Sequence, residues 1–198
     1  MVSRANLIIG LTGGMGSGKS TAAAFFAERG FRRLDSDAQV RDILLVDPAV
    51  VAAIRQRLGD EAIAPDGQVR RDRVAQRVFN DPAELAWLET LLHPRLYALW
   101  REQFGASQGQ KFIVEVPLLF EKDLENWFDF TVCVSTDSVL QLRRLEQRGI
   151  PPALARQRLA KQLPLARKCE LADHVLLNDG TPDFLREQVN ALADRLLN

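Results

Sequence analysis

Two hydrophobic rhythms alternate along this chain, short unbroken apolar runs and longer stretches with a helical repeat, and that alternation predicts strands exchanging with helices. Leu7 to Thr12 is a nearly continuous apolar run and reads as a buried strand. Thr21 to Ala27 reads as a helix packed beside it, with Gly30 as its stop. Phe31 to Leu34 reads as a short second strand closed by Asp35-Ser36-Asp37. Residues 38–58 place Val50, Val51, Ile54 and Leu58 on one face and read as helix, with Pro48 restarting a turn and Gly59 ending it. Asp66-Gly67 marks a turn before a helix that directs Val74 and Val78 inward.

Asp81-Pro82 is a helix start, a capping carboxylate followed by proline at the first helical position, and Leu85, Leu88, Leu91 and Leu92 follow. Proline removes an intrahelical bond and restricts the residue before it, so His93-Pro94 reads as a kink or boundary. A second helix then carries Leu96, Leu99, Trp100 and Phe104. Strands resume at Lys111 to Val116 and at Asp129 to Ser135, and a helix from Ser138 to Arg148 stops at Gly149. A fifth strand, His174 to Leu177, precedes a turn at Asn178-Asp179-Gly180. Thr181-Pro182 then caps a last helix that turns Leu185, Val189, Leu192 and Leu196 inward. The sum is an α/β fold, a parallel sheet flanked by helices. Residues 1–59, 109–142 and 169–198 form its core, 60–108 a helical insertion and 143–168 a second helical flap.

Composition narrows the function without naming it. The 198 residues are 46% hydrophobic, enough for a substantial core. Basic and acidic residues balance at 26 each, so there is no polycation to coat nucleic acid or an anionic membrane, and any anion site is local. Cys133 lies in an apolar run with Cys169 far along the chain; together they make neither a disulfide framework nor a metal cluster. The first apolar stretch is too short for a signal segment and no window approaches the ~20 apolar residues of a membrane span, so a cytoplasmic protein is expected.

The chemistry concentrates in Gly13 to Thr21, GGMGSGKST, between the first strand and the first helix. It matches the phosphate-loop pattern G-x-x-x-x-G-K-[ST]. Gly13, Gly14, Gly16 and Gly18 lack Cβ atoms and let successive backbone N–H groups turn inward as an anion nest, joined by the positive end of the helix that begins near Lys19. Lys19 then carries its ammonium to the β and γ phosphates of a triphosphate, and the Ser20 hydroxyl ligates Mg²⁺. A dinucleotide fingerprint fails because Lys19 stands where its third glycine belongs. The protein-kinase glycine loop fails because neither His-Arg-Asp nor Asp-Phe-Gly follows.

Other candidates gather around that loop. Asp35 and Asp37 lie at a strand's carboxyl end, where open α/β sheets bind ligands, and act on a substrate, hold magnesium through water, or cap the next helix. On an extended backbone, side chains two apart point the same way, so the pair is expected to converge on one hydroxyl. Glu115, near the end of another strand, is a candidate for the metal's outer shell with Asp35. Arg70, Arg71, Arg73 and Arg77 form either a solvated face or an anion-binding one. His93, beside a helix start, is structural or bonds a phosphate. Arg143 to Lys168 carries eight basic residues against Glu146 alone, and reads as an exposed basic helix pair or as a lid over the transferring phosphoryl group.

Taken in order, IGLTGGMGSGKST, Leu34 to Asp37, Asp66-Gly67 with Arg71, Val78-Phe79, Leu92-His93-Pro94, Val116 to Glu121, Gln141 to Arg144 with Arg148, Gln162, and Ala172-Asp173 followed by Asn178 and Gly180 resemble the dephospho-coenzyme A kinase family nearly end to end. The resemblance implies a P-loop, nucleotide-kinase-like fold with a helical acceptor-binding insertion and a helical lid. It implies transfer of the ATP γ-phosphoryl to the ribose 3′-hydroxyl of dephospho-coenzyme A, with no nucleic acid or membrane partner. Carried over by position, Gly14 to Thr21 hold ATP, Asp37 is the base, Arg144 and Arg148 belong to the lid, and Arg71, Arg77, His93, Pro117, Leu118 and Leu119 lie on the acceptor side with Asp35. Ser36, Glu115 and Lys168 depart from the family's usual alanine, aspartate and arginine. The rival readings are another metabolite kinase on the same core and a regulatory phosphate-loop ATPase. The oligomeric state stays open.

Overall fold

The computed structural model describes residues 6–106 and 108–197. The strands are β1 (Leu7–Gly13), β2 (Arg32–Asp35), β3 (Lys111–Glu115), β4 (Phe130–Ser135) and β5 (His174–Leu177). The helices are α1 (Lys19–Glu28), α2 (Ser36–Gln39), α3 (Pro48–Leu58), α4 (Arg71–Asn80), α5 (Pro82–Gly105), α6 (Ser138–Gln147), α7 (Pro152–Leu159), α8 (Leu165–Leu171) and α9 (Pro182–Leu197). All strand pairs are parallel and the order is β2-β3-β1-β4-β5, which makes β1 the central strand. Its register, Leu11↔Glu115 on one side and Gly13↔Val134 on the other, brings the carboxyl ends of β1, β3 and β4 together where the glycine loop departs.

Strand alternation decides which face each residue serves. Ile9, Leu11, Ile113, Val132 and Val134 pack with Ala22 and Phe26 of α1 and with Leu185 and Val189 of α9. Each large apolar side chain fully buried there contributes ~1.5–3 kcal/mol. On the other face, a Cβ on Gly10 would lie 2.6 Å from Phe128 and 2.7 Å from Leu119, so only glycine lets the segment after β3 touch the sheet there. The helix α8 packs on β4 and β1.

The chain divides into two compact units, Met1–Asp35 with Gln108–Asn198, and Ser36–Ser107. The helical unit therefore begins at Ser36 rather than at residue 60. Side chains of the early helices are committed within it: the Trp100 indole donates to Gln39 Oε1 at 2.8 Å, and Arg57 pairs with Glu84 at 3.0 Å.

Three expectations change. Residues 38–58 restart at Pro48 as expected, under an Asp47 cap that accepts from Ala49 and Val50 N–H at 2.9 and 3.1 Å, but before it α2 passes into a wider π turn at Val40–Leu44. Conversely, α5 runs unbroken for 24 residues through His93-Pro94. An interior proline costs ~3 kcal/mol, less than the burial of Leu92, Leu96 and Trp100 on either side of it returns. The Arg95 guanidinium also donates to Leu91 O at 2.7 Å in the disturbed turn. Finally, β2 ends at Asp35 and the backbone is helical from Ser36, so strand alternation does not extend to Asp37.

Candidate active site

The glycine loop is held from behind by side chains distant in sequence. Asn178 Nδ2 and Thr136 Oγ1 reach Ser17 O at 2.7 and 3.0 Å, and Gln141 Nε2 donates to Met15 O at 2.7 Å. No peptide among the described residues is cis, and in a trans peptide the carbonyl and the next N–H point in opposite directions. Holding Met15 O and Ser17 O outward therefore turns Gly16 N–H and Gly18 N–H toward the loop's interior, which is how a backbone binds an anion. Gly18 is in the left-handed region at φ 100°, and a Cβ there would lie 2.0 Å from Asn178 Nδ2, so no other residue fits. From that position α1 begins, aiming its N-terminal end at the same space.

Lys19, the first residue of α1, donates from Nζ to Gly13 O and Gly14 O, both at 2.9 Å. Its ammonium is thus folded over the loop. Ser20 is exposed beside it, while Ser17 Oγ is buried with no hydrogen-bond partner. The Arg144 guanidinium, on α6, donates to Asn178 O at 2.9 Å and Thr136 Oγ1 at 3.2 Å, so it braces the residues that brace the loop. Arg148, one turn on, is exposed.

At the sheet edge Asp35 and Glu115 are register partners. Glu115 is buried and accepts from Arg33 Nε at 2.7 Å. After β3, Pro117 O accepts from Thr12 Oγ1 at 3.3 Å, Leu118 is 37% exposed and Leu119 is fully buried, so of those three the side chain at 118 is the one presented to solvent.

The basic stretch resolves into two kinds of residue. Arg143, Arg148, Arg156, Arg158 and Lys161 are exposed on α6 and α7 or just beyond. Lys168 is not part of that surface: its side chain is fully buried, with Nζ 2.6 Å from Pro117 O and 2.8 Å from Glu121 Oε1. The next residue brings together two free thiols that lie far apart in the sequence. Cys169 Sγ lies 3.7 Å from Cys133 Sγ, since α8 lays it on the face of β4 opposite the α1 layer. Burial and the neighbouring Cys169 sulfur push the Cys133 thiol far above its ordinary pKa, which leaves it protonated.

The helical unit presents its candidates differently. Arg71 and Arg77 are exposed but about 120° apart around α4. Arg77 lies 3.9 Å from Glu61 and lines, with Arg70 and Arg73, a cavity of about 520 Å³; Arg71 does not. Asp42 carries a carboxyl held below its ordinary range by the hydrogen bond from Arg41, with Arg71 adding its charge. His93 is half-buried with its ring 5.8 Å from that of Tyr97, whose phenol burial pushes upward in pKa. Asp37 is exposed in the first turn of α2. Among the described residues no three His, Cys, Asp or Glu side chains group as a metal cage. No helix there is long and apolar enough to cross a membrane.

Thr136 carried no signal in the sequence, and Asn178, Gln141, Gln162 and Glu121 carried no assigned role. The bonds by which they hold the glycine loop and Leu163 span 42 to 161 residues.

Comparison with known proteins matches residues 7–183 to the family model described as dephospho-CoA kinase. The dephospho-CoA kinase of Synechococcus elongatus is 37% identical over 192 residues, covering 96% of this chain and 92% of that protein. The crystal structure of TT1252 from Thermus thermophilus superposes with a TM-score of 0.80 at 32% identity, covering 98% of this chain and 99% of that one. The dephospho-CoA kinase from Campylobacter jejuni shares the fold at a TM-score of 0.71 and 23% identity, with 96% and 97% of the two chains covered.

Proposed function

The chain belongs to the dephospho-CoA kinase family, and from that premise we propose that it transfers the γ-phosphoryl of ATP to the ribose 3′-hydroxyl of dephospho-CoA, completing coenzyme A. The observation that carries this reading is the glycine loop with Lys19 Nζ folded over Gly13 O and Gly14 O. Gly14, Gly16, Ser17, Gly18 and Thr21 bind the phosphates of ATP through the backbone. Lys19 meets the charge that gathers on the transferring group, which is where an electrostatic contact lowers the barrier most. Arg144 and Arg148 complete the ATP side from α6 and its end.

Asp37 is the proposed base. Its carboxylate takes the proton of the 3′-hydroxyl as the oxygen–phosphorus bond forms and the bond to the departing ADP oxygen breaks. Arg71, Arg77, His93, Pro117 and Leu118 are assigned to the acceptor; Leu119, fully buried, acts there by supporting Leu118.

Mg²⁺ fits the donors present. At phosphate loops it takes one hydroxyl, phosphate oxygens and water rather than an all-protein cage, and Ser20 is exposed at the required position. Asp35 is the better outer-shell partner, because Glu115 is buried and already engaged by Arg33. When bound, the ion would supply positive charge against the charge that develops on the phosphates during transfer. A cytoplasmic reaction follows from the substrates, ATP and a thiol-bearing acceptor.

The deciding assay follows ADP with ATP and dephospho-CoA present. ADP formation is expected to depend on acceptor, with kcat/KM for dephospho-CoA far above that for AMP or adenosine, because remote binding energy positions the hydroxyl. Equal use of AMP would point to another nucleotide kinase. Acceptor-independent ADP would point to a regulatory ATPase.

A further inference from the structure

The turn between α7 and α8 reaches the glycine loop through a hydrogen bond: Met15 N–H donates to Gln162 Oε1 at 3.3 Å. That amide shares a peptide plane with Gly14 O, and in a trans peptide the two point in opposite directions. Gly14 O is one of the two carbonyls that hold Lys19 Nζ, at 2.9 Å. Holding Met15 N–H on one side of the plane therefore aims Gly14 O at the lysine on the other.

Gln162 is itself placed by a buried anchor. Its neighbour Leu163 donates its backbone N–H to Glu121 Oε1 at 2.8 Å, and the same oxygen receives Lys168 Nζ at 2.8 Å. Lys168 also donates to Pro117 O, which receives Thr12 Oγ1, and Thr12 immediately precedes the glycine loop. The ammonium has no exposed surface and Glu121 Oε2 is buried without a partner. A buried pair that leaves one lone-pair site empty is a poor source of stability, so stability alone does not account for it.

We propose that Gln162 is a positioning residue for the phosphoryl transfer, orienting Lys19 through the Gly14–Met15 peptide, and that Glu121 and Lys168 set Gln162 in place by fixing the turn that carries it. The chain of contacts runs from the segment after β3, through the root of the basic flap, to the lysine. It rests on Lys19 binding the γ-phosphate as in the proposed function. Gln162 touches neither nucleotide nor acceptor in this scheme; it acts through one peptide plane.

The test is Gln162→Met, which keeps length and half-buried packing but removes the acceptor oxygen. Losing one such hydrogen bond is expected to lower kcat roughly 3- to 10-fold. ATP affinity measured without acceptor should change less than kcat, and the melting temperature should stay near wild type. Gln162→Glu retains an oxygen for Met15 N–H and should recover most of the rate, which a purely steric or structural role would not produce. Glu121→Gln should also slow the wild type, and should add nothing in the Gln162→Met background if it acts through Gln162. Wild-type kcat in Gln162→Met, equal rates for the Met and Glu variants, or additive losses with Glu121→Gln would each overturn the proposal. Wild-type protein lacking acceptor-dependent ADP formation would instead overturn the kinase reading, so the two failures are distinguishable.

Discussion

The glycine loop and the helical unit prepare their chemistry in opposite ways. In the loop the working groups are backbone amides, and the carbonyls at Met15 and Ser17 are each secured by named side chains, with every bond between 2.7 and 3.0 Å. In the helical unit the assigned groups are side chains on helices, exposed at Asp37, Arg71 and Arg77 and half-buried at His93. Fixed dipoles need no reorganisation when charge develops, which suits a group common to every turnover. Flexible side chains lose rotamer freedom on binding but select among acceptors by shape and charge. Under the proposed assignment, the difference teaches that the donor side is preorganised by the fold, whereas the acceptor side holds its specificity in rotamers.

The comparison breaks most sharply at Lys19. With Lys19→Ala the loop keeps its supports from Gln141, Asn178 and Thr136, so the fold should persist while kcat falls by roughly 10³-fold or more, as expected when charge stabilisation of a phosphoryl group is removed. A variant within tenfold of wild type, read by coupled ADP release, would mean that the preorganised loop is not where the barrier is lowered.

On the acceptor side, Asp37→Asn preserves shape but cannot take the proton. A loss of roughly 10²- to 10⁴-fold in kcat is expected, with ATP binding and melting temperature near wild type. Asp35→Asn should cost less and shift the dependence on magnesium. The reverse ranking, at saturating ATP and dephospho-CoA, would exchange the two roles.

The smallest effect isolates the helical unit. Trp100→Phe leaves Gln39 Oε1 without its 2.8 Å donor inside the core of that unit, and should destabilise it by about 1–3 kcal/mol in urea unfolding. ATP affinity should not move, because the loop's supports all lie in the other unit. A matching loss of ATP affinity would show that the two regions are not independent.

Much of this molecule was readable from residue order, because its information is local. A strand, glycines at fixed offsets, lysine and serine, then a helix define the phosphate loop within nine residues. Apolar periodicity placed all five strands to within a residue or two at their ends, and Asp81-Pro82 and Thr181-Pro182 marked true helix starts. Local rules failed where packing outweighed them. Pro94 sits inside a continuous helix because burial of Leu92, Leu96 and Trp100 exceeds the proline penalty.

Tertiary structure alone decided the rest. Lys168 belongs to a buried pair rather than to the basic surface because α8 turns it toward Glu121, 47 residues earlier in the chain. Cys133 and Cys169 meet because β4 and α8 stack. The outward hold on Met15 and Ser17 comes from Gln141, Gln162, Thr136 and Asn178, residues whose types suit many sites and whose spacing carries no period. A motif states which backbone groups can bind a phosphate. Which way those groups point is set by hydrogen bonds closed across more than a hundred residues, and only the folded sheet brings those partners within reach.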